Sequence, residues 1–206
     1  MALISVSNNA LSNITAVPAI IPKGDLTLIK SITASASASI EFINGTNGVV
    51  LDGTYSSYIF SFVDMHPSVD GGILEFQAST DGGSNYGVTI TSSAFYARLG
   101  ESDAGALLTY NTDHDLAQST SYQKISSNIG NDNDQSASGT LTLFNPSSTT
   151  YVKHFISSMN SNIFIDYTYN DFKSGYFNDT NDLTNIKFQM HTGNIDAGTI
   201  LMYGKN

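Results

Sequence analysis

The sequence predicts an all-β protein, a β-sandwich of jelly-roll type built from antiparallel strands with little or no helix. Three observations predict it. Apolar and polar residues alternate with period two in several stretches, and no stretch of useful length carries a 3.6-residue period. Short β-prone runs recur every roughly 10–15 residues, separated by Gly/Asn-rich turns. At 206 residues the chain fits one such domain and buries enough surface to fold without disulfides.

Residues 1–29 read as an amino-terminal arm with short strands, punctuated by Pro18, Pro22 and Gly24, and 30–206 as the sandwich. Leu26 to Lys30 begin a strand. The segment 31–43 (SITASASASIEFI) puts Ile32, Ala34, Ala36, Ala38, Ile40 and Phe42 on one face and Ser, Thr and Glu on the other. It reads as one half-buried strand whose small residues imply close approach by a second sheet or a neighbouring chain. NGTNG at 44–48 is a hairpin signal. Residues 54–63 place Tyr58, Phe60 and Phe62 on one face, and 73–77 form a strand bounded by glycine pairs. One or two strands lie in 86–98, 99–121 reads as a long polar loop, and 122–129 as a further strand. NDNDQSASG at 131–139 is a turn. Strands follow at 140–144, 151–157, 163–169, 186–190 and 199–203, about ten in all, with a turn-rich stretch at 174–183. In the last segment, 191–204, Gly193-Asn194 and Asp196 to Gly198 are turn signals, and the apolar 199–203 ties the carboxyl terminus into the sheet.

Composition narrows the function. The net charge of −10, with only eight Lys and Arg, argues against a nucleic-acid surface, which needs clustered cations. The amino terminus lacks a basic region and an unbroken apolar run, so neither a signal peptide nor a membrane insertion is expected. Cysteine is absent. The four histidines stand in separate segments without metal-ligand spacing, and no metal or cofactor is expected. Asp132-Asn133-Asp134 starts like a calcium loop, but Ala137 and Leu143 occupy the positions that need Gly and Glu. There is no nucleophile elbow and no phosphate-binding loop, and no catalytic residue is assigned. Asp113-His114-Asp115 is the best acid–base candidate, because adjacent carboxylates raise an imidazole's pKa. Tyr86, Tyr96 and Tyr110 are candidate platforms for a ligand, a receptor or a neighbouring subunit, and the loops 99–121 and 170–183 are candidate contacts.

Several stretches together resemble a known family. They are TASASASIEFINGT (33–46), TYSSYIFSFVDMHPSVDGGILEFQASTDGG (54–83), YARLGESDAGALLTYNTDHDLAQSTSYQKI (96–125), NDQSASGTLTLFNPSSTTYVKHF (133–155) and SGYFNDTNDLTNIKFQMHTGNIDAGTILMYG (174–204). They resemble small virion structural proteins of marine tailed bacteriophages, cyanophage- and pelagiphage-like, of tail-fibre-like or decoration type. The most distinctive part is the closing Gly193-Asn194, Gly198-Thr199-Ile200 and Tyr203-Gly204 pattern. Residues 1–29 resemble the family less. The resemblance implies a virion component on the particle exterior, a capsid decoration or cement protein or a short fibre or tail appendage. It would be assembled from cytoplasmic subunits. Closed rotational symmetry on phage exteriors leads us to expect a homotrimer touching other virion proteins, capsid or tail, and in a fibre a host surface glycan. Two rival readings come from the residues themselves: a carbohydrate-binding sandwich using loop tyrosines, and a glycan-degrading appendage using two carboxylates.

Overall fold

The structure is a computed structural model that describes residues 26–206. Those residues form thirteen strands and no helix: β1 (Leu26–Thr33), β2 (Ile40–Ile43), β3 (Ser57–Pro67), β4 (Leu74–Ser79), β5 (Ile90–Gly100), β6 (Leu107–Tyr110) and β7 (Leu116–Ser119) come first. β8 (Gln123–Lys124), β9 (Ala137–Phe144), β10 (Lys153–Ile163), β11 (Tyr167–Phe177), β12 (Asn185–Met190) and β13 (Ile195–Lys205) complete the set. They make two antiparallel sheets packed as a sandwich. The large sheet runs β1-β13-β3-β9-β10-β11-β5-β6, with β7 also on β5; the small sheet runs β2-β12-β4-β8. No described helix is long and apolar enough to cross a membrane.

The core follows from the alternation seen in the sequence. Tyr58, Phe60 and Phe62 on β3 are buried, as their spacing predicts, and face Phe42, Phe76 and Phe188 from the small sheet. Phe188 sits at the centre, with the rings of Phe60 and Phe62 each 5.2 Å away and those of Phe42 and Phe76 at 6.1 Å. Phe188 meets Phe42 and Phe62 edge-on, the arrangement the ring quadrupole favours, and Phe60 and Phe76 at a tilt. β13 lies between β1 and β3 with Ile200 and Met202 fully buried, so the closing segment is an internal strand.

Several expectations are corrected. The 31–43 run is not one strand: it ends β1 in the large sheet, crosses at 34–39, and begins β2 in the small one. Ala36 has φ 49° and is exposed, and Ser37 makes a lone bridge to Ile195. Continuous alternation survives a sheet change when both ends point into the same core, so the pattern by itself does not locate the break. NGTNG forms a turn but no hairpin, because β2 pairs with β12 while β3 pairs with β13 and β9. The 99–121 loop contains β6 and β7, whose exposed edge positions lack any amphipathic signal. Residues 163–169 are not a strand of their own: 164–166 form the turn between β10 and β11, each of which runs for eleven residues. Only Gln123 and Lys124 of 122–129 are strand. The supposed turn at 196–198 is a bulge inside β13, where Gly198 (φ 117°) lies so close to β3 that a Cβ would come within 2.7 Å of the Asp64 carbonyl. The boundary drawn at 29/30 falls within β1, and residues 1–25 of the expected arm lie outside the described residues.

A polar pocket beside a buried ion pair

The aromatic core does not extend to the whole large sheet. Register places Ser157 and Ser161 of β10, Asp171 and Lys173 of β11, and Ala94 and Tyr96 of β5 on its inner face. Segment 111–129 closes over this half of the sheet. Asn111 N–H donates to the Ala94 carbonyl (2.9 Å), Leu116 N–H to Ser92 Oγ (3.0 Å), and Ile129 bridges both Gly72 and Ile163. The result is a second, polar compartment.

At its heart Asp171 and Lys173 are each at most 2% exposed. Lys173 Nζ donates to Asp171 Oδ1, which also accepts from Ser127 Oγ at 3.1 Å. Burial pushes the Asp171 carboxyl up from its ordinary range and the Lys173 ammonium down, and each charge partly offsets the shift of the other. Among the described residues, Asp171 Oδ2 and the hydroxyls of Ser157 and Ser161 have no hydrogen-bond partner.

His114 lies in the same compartment, 6% exposed. Burial, then the nearby Lys173 and Lys124 charges, lower its pKa from 6.5 to about 3. This overturns the expectation that its flanking carboxylates raise it. Asp113 is exposed, and Asp115 accepts a 2.8 Å bond from the Tyr110 hydroxyl at the sheet edge, so neither acts on the imidazole. The ring is neutral at physiological pH, and its Nδ1 has no partner among the described residues.

The structure unites three of the six candidate residues. Tyr96, Asp113 and His114 line one cavity of about 270 Å³, together with Ser127, Tyr169 and the exposed Phe164 of the β10–β11 turn. The Tyr96 and Tyr169 rings lie 4.9 Å apart, and Arg98 fixes Tyr169 through a 2.8 Å bond to its hydroxyl. Tyr110 stands on β6, opposite Phe95 on the outer face. Tyr86 is elsewhere: its hydroxyl donates to Glu41 Oε2 (2.9 Å) and Lys187 Nζ sits 5.0 Å from the ring centre, pinning a loop over the small sheet. Burial pushes the Tyr86 hydroxyl up to about 12. Residues 170–177 of the other candidate loop belong to β11, and the carbonyls of Asp179 and Asn181 accept from the buried Lys153 ammonium. Sequence reasoning counted Asp171 only among the carboxylates open to a glycan-degrading site and missed Lys173 and their pairing; a carboxylate and an ammonium two apart on a strand, with apolar Phe172 between them, are the signal that points to the pair. Among the described residues no three His, Asp or Glu side chains converge to hold a metal ion.

The opposite, outer face of the large sheet is a second feature. The register-matched outward positions of β3, β9, β10, β11 and β5, from Ile59, Ser61 and Val63 to Ser93, Phe95, Ala97 and Leu99, carry no Asp, Glu, Lys or Arg; the one charge on this face is Asp64 at the β3 bulge, which accepts from the outward Ser138 Oγ. Phe95 and Phe172 stack there at 5.0 Å, and Ile156 is 55% exposed beside an open trough of about 550 Å³ lined by His154 and Tyr176. At the edge, Leu108 is 71% exposed. Comparison with family models, with curated proteins and with solved structures finds no match to this chain.

Proposed function

We propose that this chain is a structural protein on the exterior of a tailed-bacteriophage particle, a jelly-roll-type sandwich that serves as a capsid decoration or cement protein or as a short fibre or tail appendage. It works by assembly, as a homotrimer in contact with other virion proteins. The single observation behind this reading is the outer face of the large sheet. In a chain with net charge −10, five adjacent strands present an outward surface whose one formal charge is Asp64 at the β3 bulge, carrying Phe95 and Ile156 exposed and Phe172 half-buried. Exposed apolar area of this extent marks an interaction surface, and its burial contributes about 25 cal/mol per Å² toward association. The acidic remainder keeps free subunits soluble.

The test has two parts. Sedimentation equilibrium of the purified chain should give a trimer that a Phe95→Ser/Ile156→Ser variant dissociates. Mass spectrometry and a density map of particles made by the encoding genome should place the chain on the exterior. A monomer that never accompanies particles overturns the proposal.

A further inference from the structure

We propose that the cavity between the β10–β11 turn and segment 111–114 is a binding site for one uncharged sugar ring. The inference goes beyond the assembly reading and does not depend on it. The cavity's about 270 Å³ falls just below the roughly 300–1,000 Å³ of clefts that take drug-sized ligands, which suits a single small molecule. Its wall is two-sided. One side is aromatic and aliphatic: the Tyr96–Tyr169 pair, held by Arg98, and the turn residues Phe164 and Ile165, which stay 44% and 50% exposed where a turn ordinarily carries Gly, Asn or Asp. The other side is polar: the Asp113 carboxylate, with no side-chain bond among the described residues, the Ser127 hydroxyl, and His114. His114 is buried to 94% by its 6% exposure, and its Nδ1 lacks a partner among the described residues. A buried polar group without a partner keeps its full desolvation cost, so a ligand that supplies one is favoured.

Ligand chemistry follows from these groups. An apolar ligand would leave His114 Nδ1 unsatisfied. An anion would face the Asp113 carboxylate; among the described residues the buried Lys173 ammonium nearby already donates to Asp171, and the Lys124 ammonium donates to the Asp113 carbonyl. No three-ligand cluster is present among the described residues for a cation. A sugar ring matches both walls, because its C–H face packs on the tyrosines while its hydroxyls donate to the Asp113 carboxylate and to the Ser127 oxygen, whose own proton goes to Asp171, and bond the His114 imidazole. Such a ring is either a free monosaccharide or the terminal residue of a longer glycan.

Titration calorimetry of the full chain against glucose, galactose, mannose and N-acetylglucosamine, their methyl glycosides, and the acidic sugars glucuronic and sialic acid tests the site. At least one neutral sugar should bind, with the acidic ones at least tenfold weaker. Asp113→Asn, at an exposed position, and Tyr96→Ala should each weaken binding at least tenfold, whereas Tyr151→Ala, outside the cavity, should leave it unchanged. Circular dichroism identifies a misfolded Tyr96→Ala, in which case Asp113→Asn alone decides. A methyl glycoside binding as well as its free sugar identifies the glycan terminus; a glycoside that fails where the sugar binds identifies the free monosaccharide. No binding at millimolar sugar, preference for the acidic sugars, or indifference to Asp113→Asn overturns the proposal.

Discussion

Replacing Lys173 by methionine removes one charge of the buried pair and keeps a side chain of similar length, so the effect is electrostatic and leaves no cavity. Both partners are at most 2% exposed, and the variant would leave the Asp171 carboxylate with only the Ser127 hydroxyl as a side-chain donor. Deleting one member of a buried pair costs about 3–5 kcal/mol, whereas replacing both with apolar groups is often neutral or stabilising. In a protein of this size each kcal/mol moves Tm by about 2–4 °C, giving a fall of roughly 6–20 °C for K173M. An Asp171→Leu/Lys173→Met double variant should recover most of that loss. The pH dependence has a definite sign. An unpaired buried Asp171 titrates above its unfolded value near about 4, so the unfolded state ionises first as pH rises. The K173M deficit is therefore small near about pH 4 and grows above it. Thermal unfolding followed by circular dichroism across that range measures this. A K173M Tm within about 2 °C of the parent, or a double variant less stable than the single one, refutes a buried, mutually dependent pair.

Other consequences are equally direct. Because burial lowers the His114 pKa from 6.5 to about 3, the unfolded chain takes up a proton in that window that the folded chain does not. Stability should therefore fall as pH drops from 6.5 toward 3, and a His114→Gln variant should show a shallower slope in urea titrations. Phe188→Ala empties the centre of the ring cluster and should cost about 3–5 kcal/mol by the same measurement. Gly139→Ala should destabilise by about 1–3 kcal/mol, since a Cβ there meets the Ser158 carbonyl at 2.3 Å and Met159 Cα at 2.8 Å, both backbone atoms that cannot swing aside. Ala36→Phe, by contrast, should cause no overpacking, because Ala36 is exposed; its cost should be limited to holding a bulkier residue at φ 49°.

Much of the sandwich was legible in the chain because burial of one sheet face imposes a local period of two. Tyr58, Phe60 and Phe62 announce β3, and Ile200 and Met202 announce β13, without reference to any partner strand. What the alternation does not encode is which sheet a strand joins. Residues 31–43 keep their pattern through a change of sheet, and β6 and β7 show none because edge strands with exposed faces have no buried side to pattern. Tyr96 and His114 were recognisable as candidates from residue type alone. Their convergence with Tyr169, and the ion pair behind them, depends on antiparallel register between β5 and β11 and on a segment folded across both, contacts separated by tens of residues. The sign of the His114 shift follows from the same cause. Sequence neighbours Asp113 and Asp115 point to a raised pKa, but burial and the distant Lys173 outweigh them once the chain is folded. Local patterning determined that this is an all-β sandwich with an aromatic core; long-range register alone decided where its polar pocket lies and which face was left nearly without charge.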